Sequence, residues 1–260
     1  RNDKQQAESY INHILENHRD NPKANSAKLL KDLIYKGSED KLPLKVNPGQ
    51  YHLSRSKSLY KSKQYGLCLI EAETAARLSP DDLKVQEILV GLHSMFLRLD
   101  MTEKSVEKFI VYAKANNKLK SRGYQELADI EVLRGHLKKA KELYEKAKTL
   151  GDPNGIAKAT LEEFPEQVDS TERQPLNPNA LFINPINALN RKGEIFAHFG
   201  MYQRAMGIYS MVLRMNPTNL NALLNTATAN YENEKYNRAI SILERLFIIH
   251  PNHEHVIAHR

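Results

Sequence analysis

The chain has 260 residues, of which 41% are hydrophobic and 27% charged, a balance that argues for packed structure and against wholesale disorder. No window holds eighteen apolar residues in a row, so the sequence contains no helical membrane span, and the lone Cys68 excludes both an internal disulfide framework and a multi-cysteine metal site. The net charge of +7 does not point to nucleic acid, because bases and acids interleave, as in Lys138, Lys139, Lys141, Glu142, Glu145, Lys146 and Lys148, the pattern of a solvated helix face.

From the N-terminus, Arg1 opens a polar run and is not a start methionine, so the sequence reads as a processed or excised form. Residues 1–48 read as a partial unit: a helix ending at Pro22, a second near residues 26–35, then a loop rich in Pro, Gly and charge. The next signal is a repeat. Tyr202 and Ala205 with a closing Pro217 recur as Tyr236 and Ala239 with Pro251, 34 residues later. Counted in that frame, 49–82 carries Tyr65, Cys68, Ala72, Ala75 and Pro80. Residues 121–154 carry Tyr124, Ala128, Gly135, Ala140, Tyr144 and Ala147. Between them, 83–120 is degenerate, with Gly91, Ser105 and Phe109, and its inter-helix turn is expected to be about two residues long of the frame. Residues 49–154 thus hold three units. The segment 155–185 begins with a stretch able to form a short helix and continues with several prolines and no period, and it reads as an irregular spacer. Residues 186–260 hold two well-matched units and the start of a following helix.

The physics of the frame is two antiparallel helices per unit. Small residues (Gly193 and Ala227, Ala205 and Ala239) let the two backbones approach, large ones (Tyr209, Leu243) fill the space between neighbouring hairpins, and the proline stops the second helix. These residues at these positions resemble the tetratricopeptide repeat family. The resemblance implies an all-α, right-handed superhelical solenoid whose first helices line a concave groove. Of the groove positions, the last two units present Asn187, Asn190, Arg191, Glu194 and His198, then Asn221, Leu224, Asn225, Thr228 and Tyr231. The first unit presents Leu53, Lys57, Tyr60 and Lys61, and the third Arg122, Gln125, Glu126 and Asp129. Asparagine offers a donor and an acceptor to each peptide group of an extended segment, and it is a poor helix former, so several on one stripe call for an explanation beyond surface polarity. The carboxylate clamp of the family's co-chaperones is not reproduced, since Leu53 and Lys57 stand at its Lys and Asn positions.

No catalytic signature is present, and no cofactor is expected. His250, His253, His255 and His259 cluster at the C-terminus, but without a carboxylate partner set they read as solvent-facing, and no metal is expected. The expected function is a non-enzymatic scaffold that binds another protein. Two narrower alternatives are the output module of a bacterial response-regulator-type signalling protein and an assembly factor for pili or envelope complexes. They differ in what would precede Arg1, a phospho-acceptor domain or a lipoprotein signal. The single cysteine fits the cytoplasm, with the periplasm as the alternative, and the oligomeric state stays open.

Overall fold

The computed structural model describes residues 48–165 and 184–251, which belong to one compact unit. The expected N-terminal helices and the three histidines beyond Pro251 lie outside the described residues. Eleven helices and no strand occur among the described residues, in agreement with the expected all-α solenoid. They are α1 (Pro48–Lys61), α2 (Tyr65–Leu78), α3 (Leu83–Met95), α4 (Leu99–Tyr112), α5 (Asn117–Leu133), α6 (Leu137–Thr149), α7 (Ile156–Glu162), α8 (Pro185–His198), α9 (Tyr202–Met215), α10 (Leu220–Glu232) and α11 (Tyr236–Ile249). Five hairpins result: α1–α2, α3–α4, α5–α6, α8–α9 and α10–α11, each packed on its sequence neighbours, with α7 lying against α6 and α9.

One turn builds every hairpin. Three residues separate the paired helices, and the middle one is left-handed each time: Lys63 (φ 60°), Leu97 (52°), Gly135 (80°), Gly200 (79°) and Glu234 (56°). The residue after it donates its N–H to the carbonyl five residues back, as in Gln64 to Leu59, Arg98 to His93, His136 to Glu131, Met201 to Phe196 and Lys235 to Asn230. This closure satisfies carbonyls that the end of the first helix would otherwise leave bare. The second helix then starts without a side-chain cap. First helices begin differently. Asp82, Asn116, Asn184 and Asn219 each accept a backbone N–H at the start of α3, α5, α8 and α10.

The expected long turn in the degenerate unit is corrected. Its turn, residues 96–98, has the same three residues as the others, and the additional length lies in α5, which has 17 residues where the other first helices have 13 or 14. The hinge geometry is fixed by hydrogen bonding, so the surplus is absorbed as one more turn of helix.

Small residues face large ones both within and between hairpins. A Cβ on Gly193 would sit 2.3 Å from Cε1 of Tyr209 in the same hairpin, not the neighbouring one expected for Tyr209. One on Gly123 of α5 would sit 2.5 Å from Cγ1 of Ile110 on α4 of the preceding hairpin. Tyr144, Tyr209, Phe109 and Phe196 are the largest fully buried side chains, and the main core runs without a break from α2 to α10. The segment expected as a spacer starts inside that core: Ala157, Thr160 and Phe164 are buried, and Phe164 meets the Tyr144 ring edge-on at 6.3 Å.

Candidate functional site

The first helices α1, α3 and α5 share one face of the N-terminal array, and the α8–α9 hairpin packs against that face. α8 touches α5 and α3. Lys63, in the first turn, donates from Nζ to the Met215 carbonyl at the end of α9 (2.9 Å). The inner face that the repeat pattern assigns to recognition is therefore partly covered by the chain itself.

The contact is held by a buried ionic cluster. Asp129 on α5 is fully buried and accepts from the Tyr144 hydroxyl (2.6 Å), the Lys192 ammonium (2.7 Å) and Nε of Arg204 (3.1 Å), with a second bond from Nη2 of Arg204. Lys192, itself buried, also donates to Ser94 Oγ on α3 (3.1 Å). Burial pushes the Asp129 carboxyl upward, but the adjacent charges of Arg204 and Lys192 outweigh it and hold the group at about 2. Burial likewise disfavours the Arg204 charge, and Asp129 more than restores it. The Tyr144 hydroxyl is pushed well above its ordinary value by burial and by the neighbouring Asp129 charge. Beside the cluster lies a cavity of about 250 Å³ between α3, α5, α8 and α9.

What stays open on the inner face is a cleft of about 490 Å³ between α1, α3 and the Met211 side chain of α9. Lys57, Tyr60 and Lys61 form one rim, Glu87 stands opposite, and Ile88, Gly91 and Met95 line the floor. Gly91 sits inside a helix, where glycine costs roughly 0.5–1 kcal/mol relative to alanine, and no atom lies within 4 Å of where its Cβ would be. Packing therefore does not require this glycine; what it provides is the depth of the cleft. Glu87 is already paired with Arg122 at 2.7 Å. No acid among the described residues forms an ion pair with Lys57 or Lys61.

The structure separates the residues that the sequence grouped. Lys57, Tyr60 and Lys61 are exposed and share the cleft, whereas Leu53 is buried against Ala75 and Val85 and presents nothing. Asn190 is also buried, and its Nδ2 donates to Oδ1 of Asn219 (3.2 Å), the residue that caps α10. It joins two units instead of facing a partner. Asn187, Arg191 and His198 are exposed along α8, as are Asn221 and Thr228 along α10. Glu194 accepts from Arg191 (3.1 Å) and from Asn225 (3.5 Å), tying the two helices together. Leu224, Thr228 and Tyr231 line a separate cleft of about 440 Å³ with Tyr236, Ile240 and Leu243 at the last hairpin. In the third unit, Gln125 and Asp129 are buried, engaged with Asp152 and with the ionic cluster respectively. Sequence reasoning missed Lys192, Arg204 and Met211, since none was marked in the frame, and it took Gly91 only as a frame residue of the degenerate unit. A lysine next to Gly193, on the packed side of a helix, was the one available signal. Among the described residues no group of His, Cys, Asp and Glu is arranged to hold a metal, and no helix is long and apolar enough to cross a membrane.

The family model described as Tetratricopeptide repeat matches residues 221–253, which covers α10 from Asn221 onward, α11 and the closing Pro251. The last hairpin is thus similar to a tetratricopeptide repeat. The four hairpins before it reuse its turn. Among solved structures, the chain is similar to the MamA protein, at 11% identity and a TM-score of 0.36 over 78% of this chain and 92% of that one. It is similar to YrrB, a TPR protein with an unusual peptide-binding site, at 15% identity and 0.33 over 88% and 95%. It is also similar to a thermophilic TPR protein in Thermus thermophilus, at 13% identity and 0.39 over 81% and 96%. No curated protein sequence gives a significant match.

Proposed function

We propose that the chain is a non-enzymatic scaffold that holds a segment of another protein on its inner face, with the α1–α3–α9 cleft as the principal anchor point. The observation that carries this reading is the cleft itself: an apolar floor about 490 Å³ in size, deepened by Gly91 and rimmed by Lys57 and Lys61, for which no described residue supplies an acid. Such a site takes a bulky apolar side chain with a carboxylate beside it. Met211, on an unbranched and adaptable side chain, can adjust to the anchor. The exposed stripe of Asn187, Arg191, His198, Asn221 and Thr228, with the half-buried Asn225, then serves as a second contact for the same or an adjoining segment, through amide donors and acceptors.

The test uses co-purification with the intact protein to identify a partner, followed by binding of that partner to two variants. Gly91→Leu fills the cleft from a position where no atom lies within 4 Å of the new Cβ, and Arg191→Ala with Asn221→Ala and Asn225→Ala strips the stripe. The cleft variant should lose at least about tenfold in affinity with helical circular dichroism intact, and the stripe variant should lose less. Undiminished capture by both would refute the reading.

A further inference from the structure

The face turned away from α8 and α9 carries a second groove. Its walls are α2 and α4 and its floor is α3, enclosing about 420 Å³. Ile70 and Met101 stand on opposite walls and are 57% and 43% exposed, unusually bare for large apolar side chains. Ala76 on the α2 wall and Leu89 on the floor continue the apolar lining. Three cations, Arg77, Lys104 and Lys108, stand around it, and none forms an ion pair with an acid among the described residues. Among the described residues Arg77 donates to the Thr74 hydroxyl (3.0 Å). The one acid among the described lining residues, Glu73, is committed to Arg98 (3.1 Å) and His93 (3.3 Å). Polar floor groups are likewise engaged, Gln86 with the Pro80 carbonyl and His93 with Ser105.

We propose that this outer groove docks an acidic amphipathic helix of a partner protein. Two parallel walls over a third helix are the geometry that accepts a helix lying lengthwise, with apolar anchors one turn apart entering between Ile70 and Met101. Carboxylates flanking those anchors meet Arg77 on one wall and Lys104 and Lys108, one helical turn apart, on the other. Nucleic acid fits less well. The exposed apolar groups are aliphatic, and the one ring among the lining residues, His93, is buried and bonded to Ser105 and Glu73, so it offers no open face for a base to stack on. The surface is distinct from the inner cleft and does not depend on it.

The experiment uses the full chain carrying Gly91→Leu, so that the filled inner cleft cannot supply the signal. The probe is a fluorescein-labelled, helix-forming peptide of about four turns, with leucines along one stripe and glutamates beside it. Binding is followed by fluorescence anisotropy at low salt. The peptide should bind, and versions with Lys for Glu or Ala for Leu should bind at least about tenfold more weakly. Arg77→Glu with Lys104→Glu and Lys108→Glu, all exposed, should abolish binding of the glutamate peptide and create binding of the lysine peptide, a gain that misfolding cannot produce. The proposal is overturned if the triple reversal leaves glutamate-peptide binding unchanged. It is equally overturned if the alanine peptide binds as well as the leucine one, or if a single-stranded oligonucleotide of equal charge competes as well as the peptide.

Discussion

Removing the Asp129 carboxylate should cost more than any other single surface-preserving change in the molecule. Asp129→Ala leaves the Lys192 ammonium and the Arg204 guanidinium inside the protein with Glu126, 3.8 Å from Lys192, as the remaining described acid. It also strips the Tyr144 hydroxyl of its acceptor. Breaking a buried pair from one side typically costs about 3–5 kcal/mol, because the surviving charge is left without compensation, and here two charges survive. Because the partners sit on α5, α8 and α9, the loss falls on the junction between the first three hairpins and the last two. Urea denaturation followed by circular dichroism should show a lower midpoint and a broadened or two-step transition, with a reduced slope as cooperativity across the junction fails. The same group has an acid signature. Its folded value, about 2 against an ordinary 3.8, lies below that of the unfolded chain. Its contribution, roughly 2 kcal/mol, is therefore complete above about pH 4 and is lost as pH falls towards 2. In the Ala variant that part of the acid dependence should vanish. A single transition displaced by less than about 1 kcal/mol with unchanged slope would refute the assignment of the cluster as the tie between the halves.

Glu234→Gly should raise stability by about 0.5–1 kcal/mol, the left-handed penalty of roughly 1–2 kcal/mol relieved less the added freedom of the unfolded chain. A thermal melt reads it, and a lowered melting temperature would contradict the account of the turn. Gly193→Ala places a methyl 2.3 Å from the Tyr209 ring and should cost about 1–3 kcal/mol. Adding Tyr209→Leu should recover part of that loss, because the last hairpin already pairs Ala227 with Leu243 at the same positions. No recovery would mean the clash is not the cause. Cys68 is buried, burial pushes its thiol up, and the Ser56 hydroxyl lies 3.3 Å from its sulfur. Labelling by a thiol reagent should be slow in the native protein and complete on unfolding, and rapid native labelling would show that the α1–α2 hairpin opens locally.

How much could be read from the sequence differs by interaction range. Tyr202, Ala205 and Pro217 with their echo at Tyr236, Ala239 and Pro251 were enough for the hairpins, because each unit buries its apolar face on its neighbour and must repeat the same contact. Even the degenerate unit kept its partners, although its surplus length was assigned to the turn when helix α5 held it. The capping residues Asp82, Asn116, Asn184 and Asn219 were legible as Asx residues before α3, α5, α8 and α10 and went unused. The candidate site was less legible. A repeat frame says which stripe would face a groove in an array that continues regularly. It does not say that α8 and α9 turn back onto that stripe, which depends on Lys192 and Arg204 finding Asp129 many residues upstream. Asn190 failed for a related reason: whether an amide faces solvent or the neighbouring unit's cap depends on the inter-unit packing angle, which periodicity leaves undetermined.

The return of α9 to the first hairpin has a consequence for how the molecule assembles. A string of hairpins that touch only their neighbours can fold from any point and in any order. Here the Lys63 ammonium waits for the Met215 carbonyl across 152 residues of chain, and Lys192 waits for Ser94 across 98. Closing spans of that length is entropically slow and comes late. The hairpins therefore have every local reason to form first, with α8 and α9 swinging home afterwards onto a surface already built. A ribosome delivering the chain from its N-terminus would expose the inner face of α1, α3 and α5 for the interval before α9 arrives. The last event of folding is thus the one that decides how wide the inner cleft is left.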